Sequence, residues 1–350
     1  MPQISWDDGT AYDLFVSLFV LHQPTLFGLR PSWAAGVRSR IPAAQRDVLE
    51  NVQSFLPVPL SWLYLLPAEA KTTAGALYAL AQLPAAERLP SLLITADTSI
   101  EAINVLQRVA LRQTWSSAEQ EVLRAALNQR GIQTRPGTLN NVCQAWSDLS
   151  AAGEKYLQAL TTYYQVFFEE EEARIRPALH SAREEAEDLA HELALEELLE
   201  ELSNGVHFDV AHSVKEIVLV PSYWASPLVF YNQVGPETLL VAFSRRTASQ
   251  GLVPGDAVPI GLVEAMKAAA DPTRLRILRY LAEGPLTPSQ LSRRLRLRPP
   301  TVTHHLNTLR LAGLVEIIIH AEGERGYAVH SEGLQRALSH LNEFVQPTKR

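Results

Sequence analysis

The chain has 350 residues, of which 47% are hydrophobic and 20% charged, with a formal net charge of −7. This is the composition of a folded protein, and the length is too great for one small domain. A single cysteine excludes a disulfide framework, the start MPQISWDDG lacks the basic region of a secretory leader, and the early apolar run 14–21 is too short to span a bilayer, so a cytoplasmic protein without a membrane partner is expected.

Residues 4–6 read as a short strand and 11–22 as an apolar helix. Residues 31–40 and 42–56 are further helical patterns. Pro57, Pro59 and Pro67 then punctuate the aromatic segment SWLYLL. Helices are expected at 72–82, 100–113 and 117–130, the last capped by Ser117 with Glu119 and Gln120. Cys143, in NNVCQAWSDL, reads as a buried small hydrophobe. Residues 156–168 form an aromatic-rich helix. Trp33, Trp62, Tyr64, Trp115, Trp146, Tyr156, Tyr163, Tyr164, Phe167 and Phe168 read as core, although a helical region of this size also has room for a ligand pocket.

The segment 169–201 carries 13 acids and three arginines. Leu189, Leu193, Leu195, Leu198, Leu199 and Leu202 supply an apolar stripe, so one long amphipathic helix is expected, ended by Asn204-Gly205. The pattern then changes to strand-like runs at 206–210, 216–220, 228–232 and 238–243, separated by Pro and Gly, which predict a small antiparallel sheet of three or four strands. His207 and Asp209 would share one face of a strand but His212 would not, so these three read as surface polar residues. Residues 247–259 (TASQGLVPGDAVP) lack apolar periodicity and read as a linker.

From 270 to 314 three short helical patterns follow in close succession. Asp271 precedes Pro272 as a cap, with Leu275, Ile277, Leu278 and Leu281 at helical spacing and Gly284 as a stop. Thr287-Pro288 opens the second helix, with Leu291 and Leu295 on one face. Pro299-Pro300 opens the third, with Val302, Leu306 and Leu309 in one stripe. Two strands, 314–319 and 327–329, flank a charged loop at 321–326. A packing helix, a helix-turn-helix and a hairpin make a winged helix. On the third helix Thr303, His304 and Asn307 face away from the stripe, with Arg310 at the edge, as base-edge contacts require. Arg298 and Thr301 are placed for phosphate or sugar. Arg293, Arg294, Arg296 and Arg298 cluster at the turn, Arg325 lies at the wing, and His305 flanks the stripe as a structural residue. Residues 263–350 carry a net charge of +5 and the rest of the chain −12, as a double-stranded DNA partner requires.

ADPTRLRIL, PTVTHHLNTLRLAGLV and the wing that follows resemble the winged helix-turn-helix repressors of the ArsR type across roughly 263–345. Helices followed by VPSYWASPLVFYN and then such a winged helix look like a family of bacterial regulators. The resemblance implies a homodimer built on flanking helices at 261–270 and 332–345, each with an apolar stripe, and a repressor of transcription. Arg298-Pro299 stands where the family usually has Ser-Gln, which removes a side-chain cap and a polar reader. Family metal sites use cysteines in the second helix, absent from GPLTPSQL, or His and acid residues on the last helix, of which only His340 and Glu343 resemble half, so no metal is expected. Nor is a phosphate-cradling loop, a nucleophile elbow or an HExxH motif present, so neither an enzyme with catalytic residues nor a cofactor is expected.

The expected architecture is mainly α with small antiparallel β elements (α+β): a helical region at 1–205, a small sheet at 206–246, a linker at 247–259 and the winged helix at 260–350. The leading functional reading is a DNA-binding transcription regulator, a dimeric repressor whose N-terminal part senses a small-molecule effector or a partner. The alternative is a winged helix used for protein interaction or dimerisation, beside a ligand-binding or enzymatic N-terminal domain.

Overall fold

The structure, a computed structural model, describes residues 2–245, 260–319 and 325–345. The linker expected at 247–259 and most of the wing loop lie outside the described residues. The described chain runs β1 (Gln3–Trp6), α1 (Thr10–His22), α2 (Pro31–Ser39), α3 (Ala43–Gln53), α4 (Leu60–Leu65), α5 (Thr73–Gln82), α6 (Ala85–Leu93), α7 (Ile100–Arg112), α8 (Ser117–Gln129), α9 (Thr138–Ser147) and α10 (Leu149–Tyr163). A π-helical turn, Tyr164–Phe168, joins α10 to α11 (Glu169–Glu192). After α12 (Leu195–Leu202) come β2 (Val206–Phe208), β3 (Glu216–Pro221), β4 (Phe230–Gly235) and β5 (Thr238–Phe243). The C-terminal part is α13 (Ile260–Ala269), α14 (Pro272–Leu281), α15 (Pro288–Leu295), α16 (Pro299–Leu311), β6 (Val315–Ile319), β7 (Arg325–Val329) and α17 (Ser331–Val345). The α+β class read from the sequence holds.

The sheet corrects one expectation. β1, β3, β5 and β4 lie side by side in that order. β1 pairs with β3 and β3 with β5 in parallel, and only β4 runs antiparallel to β5. EIVLVP and TLLVAF are apolar at almost every position, which is the mark of a strand covered on both faces, and such strands are usually parallel. Val218, Val220, Leu240 and Ala242 face a core shared with α1 and the other N-terminal helices. Ile217, Leu219, Leu239, Val241 and Phe243 face a second core shared with α12 and α14–α16. The sheet is therefore the wall between the helical region and the winged helix.

β2 leaves this sheet. It pairs in parallel with β6, so that the wing becomes three-stranded in the order β2-β6-β7, and Ile317 N–H donates to Gly205 O at 3.1 Å. Left-handed backbone at Asn204 and Gly205, φ 56° and 80°, turns the chain from α12 into this position. The acidic segment is two helices rather than one. Leu193 and Ala194 are extended, and α12 turns Leu195, Leu198, Leu199 and Leu202 into the second core while its acids stay outside. Burying the leucines as a set requires a change of axis that one straight helix cannot make. The cap of α8 lies one residue earlier than read. Ser116 Oγ accepts from Glu119 N–H, and the Glu119 carboxylate accepts from Ser116 N–H. α4, α6 and α9 go beyond the helices expected from the sequence: prolines flank the first, Pro90 lies inside the second, and the third starts after Gly137 without a side-chain cap.

Candidate nucleic-acid interface

The winged helix assembles from local signals that close correctly. Asp271 Oδ1 accepts from Arg274 N–H at 2.9 Å and caps α14. The Arg274 guanidinium donates to Ala268 O and Lys267 O at 2.7 and 2.8 Å, fastening α14 to the end of α13. Thr287 and Gln290 form a reciprocal cap on α15. Ile277, Leu281, Leu291, Leu295, Val302, Leu306 and Leu309 are buried together. Leu275 departs from the stripe read in the sequence and is exposed. It stands about 200° from Ile277 around the helix, on the face away from the core.

The turn between α15 and α16 is closed by Arg296 in a left-handed conformation, φ 56°, with its N–H donating to Ser292 O. This places Arg293, Arg294, Arg296 and Arg298 as exposed cations around the turn. Arg294 is partly tied down, 5.7 Å over the Tyr280 ring and 3.5 Å from Glu283. Arg293, Arg296 and Arg298 extend into solvent.

On α16 the stripe Val302, Leu306 and Leu309 is fully buried, so the opposite face is fixed by geometry. Pro299, Pro300, Thr301 and His304 are exposed, while Thr303, Asn307 and Arg310 are half-buried. Thr303 Oγ1 donates to Pro299 O at 3.0 Å, so its hydroxyl hydrogen is used within the helix and its methyl and lone pairs remain for a partner. No side chain caps α16. The paired prolines lack N–H groups, and Thr301 and Val302 N–H both point at Arg298 O. What this helix start offers an anion is therefore the side chains of Thr301 and Arg298 rather than backbone donors. His305 is half-buried with Nδ1 unpaired among the described residues, and burial holds its pKa below the usual value. Its half-burial beside the stripe is the position expected of it from the sequence.

β6 and β7 pair antiparallel from Val315↔Val329 to Ile319↔Arg325, and Leu286 bridges to Tyr327. Arg325 thus opens the returning strand of the wing; its side chain lies outside the described part. His330 Nδ1 lies 3.1 Å from Gly313 O. α17 starts against the same turn, where a Cβ on Gly333 would come within 1.9 Å of Gly313 O. α13 packs on α17, and Leu338 on α17 is 56% exposed.

His207 is held by acids, with Nδ1 2.6 Å from Glu200 and Nε2 3.6 Å from Asp209; the side chain of His212 is outside the described part. No group of three or more His, Cys, Asp or Glu among the described residues could hold a metal ion. Cys143 is buried, and burial pushes its thiol up to about 11. No helix among the described residues is long and apolar enough to cross a membrane.

One contact was not legible in the sequence. The single-turn helix Pro24–Phe27 comes within 8 Å, Cα to Cα, of α16. Phe27 anchors that turn, stacked on Phe230 at 6.3 Å and edge-on to Phe19 at 6.1 Å. Partners so far apart in the chain leave no local pattern to read.

Comparison with known proteins agrees with this geometry. Residues 271–316 match the pattern of the bacterial regulatory protein, arsR family. The HTH-type transcriptional regulator CmtR of Mycobacterium tuberculosis is 42% identical over 79 residues, which are 23% of this chain and 66% of CmtR. An HTH-type transcriptional regulator of Methanocaldococcus jannaschii is 46% identical over 54 residues, 15% of this chain and 61% of that protein. The transcriptional repressor SdpR of Bacillus subtilis is 30% identical over 80 residues, 23% of this chain and 87% of SdpR. This chain thus spans somewhat under two thirds of the CmtR and M. jannaschii relatives, and these matches cover less than a quarter of its own length. Through its C-terminal winged helix, the chain belongs to the ArsR family of bacterial regulatory proteins.

Proposed function

We infer that the protein is a cytoplasmic, sequence-specific transcription regulator that binds double-stranded DNA as a homodimer and represses. In this reading the winged helix at 260–350 is the reading unit, joined through 247–259 to a sensing region made of the helices at 1–205 and the sheet at 206–246. The observation that carries it is the face of α16. A fully buried apolar stripe fixes a polar opposite face, and that face is flanked by exposed arginines on an otherwise acidic molecule. Thr303, His304 and Asn307 are assigned to base edges. Thr301, Arg298, Arg293, Arg294, Arg296, Arg310 and Arg325 are assigned to the backbone of the duplex. Repression is carried over from the name of SdpR. The exposed Leu338 on α17 supports a two-fold interface there.

A second reading, in which α16 docks protein, draws on the Pro24–Phe27 turn lying against it. A gel shift with duplex from upstream of the protein's own coding region separates the two. The wild-type chain should give a discrete complex that survives excess nonspecific DNA. His304→Ala with Asn307→Ala should abolish that preference and leave nonspecific binding. Specific binding that persists in the double variant would remove α16 from base reading, and no complex with any duplex would favour the protein-docking reading.

A further inference from the structure

Trp224 lies in the hydrogen-bonded joint between α1 and the chain that follows β3. The chain after β3 is held by one buried carboxylate. Asp13 on α1 accepts from Ser222 Oγ at 2.8 Å, Tyr223 N–H at 3.2 Å and Trp224 N–H at 2.9 Å. With Ser222 N–H donating to Phe243 O, the backbone donors of 222–224 are satisfied, yet the indole N–H of Trp224 has no acceptor among the described residues although the side chain is 1% exposed. A donor left unpaired in a core is costly, and native proteins keep few of them.

The walls around it are aromatic. Trp33 lies 5.7 Å from Trp224, at 30° to it. Phe167 meets both at 6.1 Å, edge-on, and Tyr163 lies 5.6 Å from Phe167. Phe167 belongs to the π-helical turn Tyr164–Phe168, a local widening of the helix that recurs at functional sites. The cover is the weakest wall. Trp33 is only half-buried, and its helix α2 is largely exposed, with Ala34 and Val37 as its buried side chains. α2 packs against the Pro24–Phe27 turn, which in turn lies against α16.

We propose that this cluster is an effector site that opens by movement of Trp33 and binds a small, flat aromatic molecule carrying one hydrogen-bond acceptor, which takes the Trp224 indole N–H. The walls supply aromatic and apolar contact, and the charged groups that border them are already engaged, Asp13 by the donors of 222–224 and Arg174 by Glu171 and Tyr223, so the ligand class is neutral; the single unpaired donor sets the need for one acceptor. This rests on the reading of the N-terminal region as the sensor, and gives that reading a place and a chemistry. The route from α2 through the Pro24–Phe27 turn links the site to the recognition helix.

The test uses the full chain and two probes of the same shape, quinoline, which has a ring acceptor, and naphthalene, which has none. Calorimetry should show quinoline binding about fivefold or more tighter than naphthalene, the gain of one neutral hydrogen bond. Trp224→Phe should bring the two to equal affinity. Trp33→Ala, at a half-buried position, should tighten both. In the wild-type chain one of the six indole N–H resonances, assigned to Trp224 by elimination with Trp→Phe variants at the other five positions, should move downfield with quinoline and not with naphthalene. This reading does not depend on the folding of the Trp224 variant. Equal affinity for the two probes, no binding of either, or an unmoved Trp224 resonance would overturn the site. A gel shift on the same samples reports DNA binding independently, so loss of the site and loss of the regulator reading are distinguishable.

Discussion

At the scale of single residues, Asp13 is a fully buried carboxyl whose protonation bears on the fold. Burial raises its pKa to about 6, against three hydrogen bonds that lower it. A carboxyl whose folded pKa is raised prefers the protonated form in the native state. Its contribution is therefore full below the unfolded carboxylate pKa and is lost as pH rises through about 6. Between pH 4.5 and 7.5 the wild-type chain should lose about 2 kcal/mol relative to Asp13→Asn, which does not titrate there, as read by urea unfolding of both proteins at each pH. A constant difference would show that Asp13 is ionised throughout. Asp13→Ala leaves the Tyr223 and Trp224 N–H groups unpaired and should cost about 2–4 kcal/mol at neutral pH. Gly333 is a second fixed point. A methyl there would meet Gly313 O at 1.9 Å, a backbone atom that cannot turn aside. Gly333→Ala should lower the melting temperature by several degrees, on the order of 2 kcal/mol, and thermal unfolding measures it; an unchanged midpoint would mean that α17 shifts freely.

At the scale of elements, the winged helix was legible because its signals are local. Asp271, Thr287 and the paired prolines mark three helix starts within a short stretch, and Val302, Leu306 and Leu309 fix which side of α16 is inside. What was not legible is long-range. The parallel pairing of β1 with β3 joins Ile4 to Ile217 across most of the chain. The pairing of β2 with β6 joins Phe208 to Ile319. Strand-like runs close together in sequence predict neighbours in one antiparallel sheet, and of these only β4 and β5 pair so. The turn Pro24–Phe27 against α16 belongs to the same class, and it has a functional consequence. A helix entering a major groove needs a clear face, so in the DNA-binding reading a turn packed beside α16 would compete with the duplex. Phe27 is buried and pins that turn. Phe27→Ala should loosen it and tighten DNA binding about three- to tenfold, the change expected when a weak competing contact is released. Fluorescence anisotropy with a labelled operator measures the effect, and weaker or equal affinity would make the turn a mere neighbour.

At the scale of the whole molecule, two cores share one sheet, and the winged helix is fastened to the acidic helices by β2 rather than hung on the chain alone. A basic C-terminal quarter on an acidic body gives the molecule a direction, with net +5 over 263–350 against −12 elsewhere. Such an asymmetry would draw a polyanion such as duplex DNA to one side and repel it from the other. In the proposed homodimer, the interface would set the spacing of two such units. Leu338→Asp places a charge on the exposed apolar side of α17 and should shift sedimentation from dimer to monomer and lower operator affinity; a dimer that persists would move the interface elsewhere. The measurement that tests most directly whether α16 reads DNA is the salt dependence of full-chain binding, taken on operator and on scrambled duplex. Arg293→Ala or Arg298→Ala should each reduce the salt slope by about one unit and leave the preference for operator intact, whereas His304→Ala with Asn307→Ala should leave the slope intact and erase the preference. A slope and a preference that both stay at wild-type values in all of these variants would contradict the assignment of α16 and its arginines to the DNA.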